Sequence, residues 1–463
     1  MENLADGAEL LALWRLWRLH RPANLSRLHL VAHSAQPIAL STLSALAADA
    51  ELYALIAHQY PPAIAGVHRL IFRDERLTLD LWFGDVPERT PDLAQADLSP
   101  IVVIGGGIAG LSMVDALTRR GIDVTMIEQD APLSGGSGNP RALLLSKPPL
   151  LSRVQHNLQT LGGLSSARWW QAWADDVLTA TGALLTPSDD DLHKVAGYPA
   201  DMVQVLSAGA ASAHSGMHCT APQLSLPRAA VINPSALRDR VLASPRVTLI
   251  HAHVARLAQR DSDQWQLYDA QDRLIAVAGR VIVASAKDSP RLCPTLPPLT
   301  VIRGQMSWCE AHTPAPHLAL GYGGYAVKFE QTLLLGSTFV RDDESTALRA
   351  TEHQTNYDLL HSSYPVDAAG LPPLDTWRGR ASLRALPRDS MPLVGAVPEM
   401  TGVYALTGMG SKGFSFAPLC GELIAGLLLG EPLPLPPALI AQLSPARFIK
   451  KVRVRKPYYT PPV

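Results

Sequence analysis

The sequence predicts an α/β fold: a Rossmann-type parallel-sheet domain interrupted by an inserted antiparallel-sheet domain, with a smaller α/β segment ahead of both. Three observations carry this. A β-branched run at 101–104 leads through Gly105-Gly106-Gly107-Ile108-Ala109-Gly110 into a helical stretch and then a second strand, the order that builds a parallel sheet. Between 299 and 339 the pattern turns strand-rich, with Tyr, Val and Gly in short alternating runs. A strand at 402–406 then passes through a second glycine-rich turn into a helix at 417–428, which returns the chain to its first pattern.

Taken in order, 8–19 carries Leu10, Leu11, Leu13, Trp14 and Trp17 at helical spacing. A short strand at 28–32, a helix at 38–56 and an alternating strand at 77–83 complete the first segment. After the strand at 101–104, the helix at 111–120 closes at Gly121, and the strand at 124–127 ends in Glu128. A helix at 234–242 and strands at 247–250 and 280–284 resume the alternation.

With 463 residues the chain has the length of about two or three domains. Hydrophobic residues make up 47 %, which excludes a disordered or coiled-coil chain. Lys and Arg number 40 against 41 Asp and Glu, so a globally basic nucleic-acid binder is excluded while local patches are not. Cys219, Cys293, Cys309 and Cys420 lie far apart and the histidines show no ligand spacing, so neither a disulfide framework nor a metal is expected. This suits a reducing cytoplasm. Residues 1–21 place acidic groups before basic ones, the wrong order for a secretory signal, and the apolar run at 423–429 is too short to span a bilayer.

Gly105, Gly107 and Gly110 follow a strand and open a helix, the context of a dinucleotide site. The first permits a tight turn, the second a close backbone approach to pyrophosphate, and the third helix–strand packing; Glu128 is placed to bond ribose hydroxyls. Far downstream, Gly408-Met409-Gly410-Ser411-Lys412-Gly413 again lies between a strand and a helix. A second helix N-terminus suits a flavin, whose N(1) and C(2) carbonyl gain negative charge on reduction, and Lys412 would add a cation there. The other reading of this stretch is a glycine-rich turn without a ligand. Ser137, Gly138 and Asn139 suit phosphate or ribityl oxygens, or an ordinary loop. Arg384 offers a fork for a carboxylate, unless it is a structural arginine. After Glu431 the chain has no acidic residue, and Arg447, Lys450, Lys451, Arg453, Arg455 and Lys456 crowd the end beside Tyr458 and Tyr459. Such an end suits RNA contact or a solvated extension.

From 101 onward the chain resembles the FAD-dependent oxidoreductase half of the MnmC family, bifunctional enzymes of tRNA wobble-uridine modification within the glycine oxidase and D-amino-acid oxidase-like group. The likeness runs through 104–110, 135–139, Arg303-Gly304-Gln305, 322–325 and 388–395, then Gly410-Ser411-Lys412-Gly413, Ala417-Pro418-Leu419-Cys420 and Leu443-Ser444-Pro445-Ala446-Arg447. The first hundred residues look like a piece of the family's methyltransferase half, through Leu11-Ala12-Leu13-Trp14, Leu28-His29, His68-Arg69-Leu70 and 77–85. Its S-adenosylmethionine loop would fall at 5–9, where Gly7 alone remains, and its ribose acid at Ser34. The family's Asp-Gly-Phe-Ala-Pro segment is missing. In the oxidase half, Arg141-Ala142, Ala284-Ser285-Ala286, Gly321 and Gly323 depart from the family pattern.

The resemblance implies a truncated methyltransferase-like segment over 1–97, an oxidoreductase over 98–446 and a basic tail over 447–463. FAD-binding parts would occupy about 98–165, 225–295 and 380–430, and substrate parts about 166–224 and 296–379. FAD is the implied cofactor and tRNA the implied partner; S-adenosylmethionine, which the family expects, is predicted not to bind. The implied reaction is oxidative removal of the carboxymethyl group from a 5-carboxymethylaminomethyl-uridine, with Arg384 on the carboxylate and Tyr322 and Tyr325 lining the pocket. Retained bifunctionality, a small-molecule glycine or sarcosine oxidase, and a non-catalytic flavin-binding tRNA module are the alternatives.

Overall fold

The protein is described here by a computed structural model covering residues 6–23, 27–84, 100–173, 175–261, 263–310, 316–365 and 371–449. At the N-terminus, α1 (Ala8–His20) buries Leu10, Leu11 and Trp14, and Trp14 meets Phe72 edge-on with ring centroids 4.6 Å apart. It covers a three-stranded sheet formed by β1 (Leu28–Ser34), with α2 (Ala50–Gln59) leading to β2 (Gly66–Phe72) and β3 (Leu77–Phe83). β3 is central, parallel to β1 and antiparallel to β2. The single helix expected over 38–56 does not form. Two 3-10 turns, Leu40–Thr42 and Ser44–Ala48, precede α2, because the Asp49 carboxylate accepts the Leu52 N–H at 3.2 Å and fixes a new helix start.

The parallel sheet begins with β4 (Ile101–Ile104), α3 (Ile108–Thr118) and β5 (Val124–Glu128), as the periodicity predicts. The chain then leaves it through β6 (Ala142–Leu144), α4 (Leu158–Gln171), β7 (Leu178–Leu185), α5 (Asp189–Lys194), β8 (Gln204–Leu206), α6 (Ala208–Ser215) and β9 (Gln223–Ile232). It returns by α7 (Pro234–Leu242) and β10 (Val247–His251). A meander of β11 (Arg256–Asp261), β12 (Gln264–Tyr268) and β13 (Leu274–Ala278) packs Trp265 and Leu267 against the parallel sheet, which β14 (Arg280–Val283) extends before α8 (Ser289–Leu292).

A second excursion comprises β15 (Thr300–Glu310), β16 (Ala319–Gly321), β17 (Tyr325–Phe329), β18 (Thr332–Gly336), β19 (Val340–Arg341), α9 (Ala350–Ser363) and β20 (Arg378–Leu386). β21 (Leu393–Ala396), β22 (Val403–Thr407), α10 (Gly413–Leu429) and α11 (Pro437–Leu443) then complete the first domain. Its sheet order is β10-β5-β4-β14-β22-β21, parallel except for β21. The sequence places the start of α10 at 417, because a proline marks a first turn. In the structure the helix begins at Gly413 and Pro418 lies inside it.

The inserted sheet runs β19-β15-β18-β17-β16-β7-β9-β6, with β20 paired to β15 and β8 to β9. Its pairs are antiparallel except β16 with β7. It takes in β6, β9 and β20, which corrects the sequence-based division that gave 98–165, 225–295 and 380–430 to the nucleotide domain. Strand pairing across long separations decides this, and it has no local signature.

The N-terminal unit is joined to the rest of the chain by buried charge. Arg69 on β2 donates to both Asp80 oxygens at 2.8 and 2.7 Å, to Glu422 at 3.1 Å and to the Pro432 carbonyl at 2.6 Å. Glu422, in the middle of α10, also accepts from Arg119 at 2.6 Å and Arg120 at 2.9 Å. Burial favours a neutral Glu422, but Arg120, Arg119 and Arg69 outweigh it and hold the carboxyl well below its usual range.

Candidate functional site

β4 and β5 lie side by side with Ile104 opposite Ile127, so α3 starts beside Glu128. Two glycines of the turn are sterically required. Gly105 has φ 109°, and a Cβ there would lie 2.6 Å from the Ala284 carbonyl; one at Gly110 would lie 1.8 Å from the Gly105 carbonyl. Gly107 precedes the helix, with only Ser137 Oγ near its open face at 3.5 Å. Ser137 Oγ accepts the Ile108 N–H at 3.1 Å, which brings the 137–139 loop to the N-terminus of α3. Gly138 allows that loop to close, since a Cβ there would meet the Leu133 carbonyl at 2.1 Å. Glu128 Oε2 accepts the Gly106 N–H at 2.5 Å and Oε1 the Asp130 N–H at 3.1 Å, so the expected ribose acid also fastens the loop.

The second glycine loop arrives at the same place. A Cβ on Gly413 would come within 2.8 Å of Ile108 Cγ2, so the first residues of α10 and α3 are in contact. Two helix N-termini thus lie side by side, which suits an anionic ligand. Gly410 N–H donates to the Ala385 carbonyl at 3.0 Å, and a Cβ on Gly136 would lie 2.9 Å from the Leu383 carbonyl. Both loops therefore touch β20 on either side of Arg384. Ser411 is exposed beside them, and Lys412 stands with Nζ 5.8 Å from the Phe416 ring centroid.

Arg384 is opposite Ile302 in the β15–β20 ladder. Its guanidinium donates to the Thr338 carbonyl at 3.2 Å and to Ser337 Oγ, and lies 5.7 Å from the Phe339 ring centroid. Those partners are neutral, and no carboxylate among the described residues pairs with it. Burial lowers its pKa, opposed by Tyr325. Gly304 makes room for it, since a Cβ there would fall 2.2 Å from Arg384 Nη2. The Arg303-Gly304-Gln305 motif thus serves the site through the residue it lacks, while Arg303 and Gln305 are buried structural groups.

Tyr325 faces this region and donates its hydroxyl to the Arg141 carbonyl at 3.1 Å. Burial pushes its pKa up to about 12, against the opposing pull of the Asn139 amide and Arg384, so it is a hydrogen-bond donor at neutral pH. Asn139 Oδ1 is buried without a partner, an acceptor free for a ligand hydroxyl. Tyr322, the other residue expected at the pocket, is 6 % exposed, edge-on to Tyr364 at 6.2 Å and close enough to Tyr325 to interact with it electrostatically. Of the departures from the family pattern, Arg141 stacks on Phe329 at 4.3 Å, and Gly321 packs against the end of the Leu145 side chain, 2.8 Å from its would-be Cβ.

Arg447 forks onto Asp389 at 2.8 and 3.1 Å and donates to the Met391 carbonyl at 2.6 Å, which corrects its place in a free basic patch: it holds its own turn against the 389–391 loop. Lys450, Lys451, Arg453, Arg455 and Lys456 lie outside the described residues. Among the described residues no group of three or more His, Cys, Asp or Glu is placed to hold a metal, and no helix is long and apolar enough to cross a membrane. The donor set fits FAD: Gly105–Gly110, Glu128 and Ser137–Asn139 would hold its nucleotide half, and Gly410–Gly413 its flavin end.

Residues 100–427 match the family described as FAD dependent oxidoreductase. The tRNA 5-methylaminomethyl-2-thiouridine biosynthesis bifunctional protein MnmC of Acinetobacter baylyi is 33 % identical, across 99 % of this chain and 89 % of its own length. Its namesake from Burkholderia multivorans is 30 % identical across 98 % and 90 %. The first of these alignments spans 560 positions against a chain of 463 residues, so the relative carries stretches without a counterpart here. Among solved structures, glycine oxidase from Geobacillus kaustophilus matches with TM-score 0.63 and 21 % identity, covering 76 % of this chain and 99 % of that one. It shares the fold.

Proposed function

The chain belongs to the FAD-dependent oxidoreductases and, among them, to the MnmC family, and on that premise we propose that it removes the carboxymethyl group from a 5-carboxymethylaminomethyl-uridine at the tRNA wobble position. The observation that carries this reading is Arg384, a guanidinium bound only to neutral acceptors beside the meeting point of two helix N-termini. The substituent is a glycine joined through its nitrogen, and its carboxylate is the partner Arg384 lacks.

Bound FAD supplies the two-electron acceptor for oxidation of the CH–NH bond. Arg384 anchors the carboxylate and so fixes the adjoining CH₂ beside the two helix N-termini. The protonated Tyr325 hydroxyl and the Asn139 carbonyl line the same side and orient the amine. Lys412, at the start of α10, would offset negative charge at the flavin end. Water then hydrolyses the oxidised C–N bond to glyoxylate and the 5-aminomethyl nucleoside. Phe339, 56 % exposed between Arg384 and Arg341, gives the mouth of the site a face on which a nucleobase stacks.

Methylation of that product falls outside this proposal. The open face of Gly7 is filled by Leu43 and Leu46, each with an atom 3.2 Å from its would-be Cβ, and Ser34 Oγ is spent on the Gln36 carbonyl at 2.7 Å. On this reading the N-terminal unit caps the oxidase and binds no S-adenosylmethionine. We place the protein in the cytoplasm, with tRNA as its substrate.

The test is anaerobic bleaching of the visible flavin absorbance. Bleaching by tRNA bearing the carboxymethylaminomethyl group, and not by glycine or sarcosine, is the expected outcome. Bleaching by the small amines alone assigns the site to a free amino acid, and no bleaching by either rejects catalysis. Calorimetric titration with S-adenosylmethionine is expected to give no binding heat.

A further inference from the structure

The helix α9 packs on β15 and β18 with a face that is mainly polar: it buries Glu352, His353 and Asn356 beside Leu360. A helix on a sheet ordinarily buries an apolar stripe, so these polar groups need partners there. They find them on β15 and in the loop after β18. His353 Nδ1 is 2.8 Å from Ser307 Oγ, and Asn356 Nδ2 donates to the Gln305 carbonyl and to Ser307 Oγ, both at 2.9 Å. Glu352 Oε1 accepts Arg303 Nε at 2.9 Å, with Arg349 Nη1 at 3.5 Å, and Oε2 accepts the Thr338 hydroxyl.

Thr338 connects this network to Arg384. Its N–H donates to the Gln305 carbonyl at 3.2 Å, and its Oγ accepts the Gln305 N–H at 2.9 Å. With the hydroxyl oxygen taken by that N–H, the hydroxyl hydrogen is left for the Glu352 carboxylate. The backbone N–H and the side chain of Thr338 are thus both fixed, and its carbonyl accepts Arg384 Nη1 at 3.2 Å. Ser337, one residue earlier, accepts Nη2. Both hydrogen-bond partners of the Arg384 guanidinium among the described residues therefore sit in the 337–338 segment, and Glu352 holds that segment from behind.

We propose that Glu352 is a positioning residue for substrate recognition: through Thr338 it fixes the 337–338 segment and so the direction in which Arg384 presents its fork. The inference rests on the reading that Arg384 takes the substrate carboxylate. A guanidinium binds a carboxylate through two parallel N–H bonds in one plane, so a fork free to swing misplaces the CH₂ that is to be oxidised. A glutamine at 352 offers one acceptor oxygen where the Arg303 and Thr338 donors need two, and turns an N–H toward one of them.

A double-mutant cycle on the FAD-loaded protein tests this. The readout is the anaerobic rate of flavin bleaching by subsaturating tRNA bearing the carboxymethylaminomethyl group. Glu352→Gln is expected to lower that rate about tenfold with Arg384 present and to leave it unchanged in the Arg384→Met background, where the fork it aims is gone. Thr338→Val keeps the Arg303–Glu352 pair and should reproduce both results; Thr338→Ser keeps the hydroxyl and should stay near the wild-type rate. Where Glu352→Gln fails to fold, the two Thr338 variants decide alone. Equal losses in the two backgrounds, or a wild-type rate in Glu352→Gln or Thr338→Val, overturn the proposal. A wild-type rate in Arg384→Met alone rejects instead the reading of Arg384 on which it rests.

Discussion

Arg69 and Glu422 meet at 3.1 Å, both completely buried, one on the N-terminal sheet and the other in the helix whose first residue touches the nucleotide loop. The pair ties the N-terminal unit to the helix that starts beside the first glycine loop. Replacing Arg69 with Met strands Asp80 without its principal cation and removes one of the three arginines that hold Glu422. We expect a loss of about 3–5 kcal/mol in stability to urea, the range for breaking one side of a buried pair. Faster release of FAD on dilution should accompany it. An unchanged unfolding midpoint would remove the argument that the N-terminal unit is a structural cap.

Arg384→Met should leave the flavin spectrum and FAD content unchanged while lowering kcat/KM on modified tRNA about 100-fold, the consequence of losing a charge-assisted contact worth about 3 kcal/mol. Arg384→Lys should recover part of this, because it keeps the charge and loses the fork. Steady-state rates with a tRNA saturation series decide it.

For Phe339→Ala we expect KM for tRNA to rise about tenfold with kcat nearly constant, in line with about 1–3 kcal/mol for base stacking. Salt dependence of KM should keep its slope, because no phosphate contact is removed. A fall in kcat without a change in KM would place Phe339 elsewhere in the mechanism.

Gly110→Ala should yield protein without yellow colour. Its methyl group would stand 1.8 Å from the Gly105 carbonyl, too close for any adjustment short of moving the turn. Absorbance of the purified protein is sufficient to check this.

Acid stability carries a defined sign at His68. The folded imidazole is held down to about 3 by burial and by Arg168 and Arg228, against 6.5 for the free group. Between those values the unfolded chain binds a proton that the folded chain does not, so stability falls as pH drops through this window. The slope from this residue approaches about 1.4 kcal/mol per pH unit. His68→Phe should flatten the urea midpoint between pH 6 and pH 4 (roughly the window a stability assay can reach), and an unchanged slope would assign it to other groups.

What was legible in the sequence were features written locally. Gly105, Gly107 and Gly110 with Glu128 form a β-α-β unit within one stretch, and the structure builds it as expected. The downstream loop at Gly410–Gly413 also declares itself by its glycines. What the sequence hides are partnerships across distance. Arg69 and Glu422 are separated by 353 positions, and neither residue is unusual where it stands. Arg384 appears as one arginine among many until β20 is seen paired to β15 and Gly304 is seen vacating the space it needs. Residues 38–56 misled through helical periodicity, since a single capping aspartate overrides it.

The contact between Gly413 and Ile108 also sets an order of events during synthesis. The first glycine loop leaves the ribosome early, but the second helix N-terminus joins it only once the C-terminal helix has been made and has swung back across the sheet. A nascent chain is therefore expected not to retain FAD until α10 has been made. Pulse-labelled chains stalled before α10 should emerge colourless and protease-sensitive even when flavin is abundant.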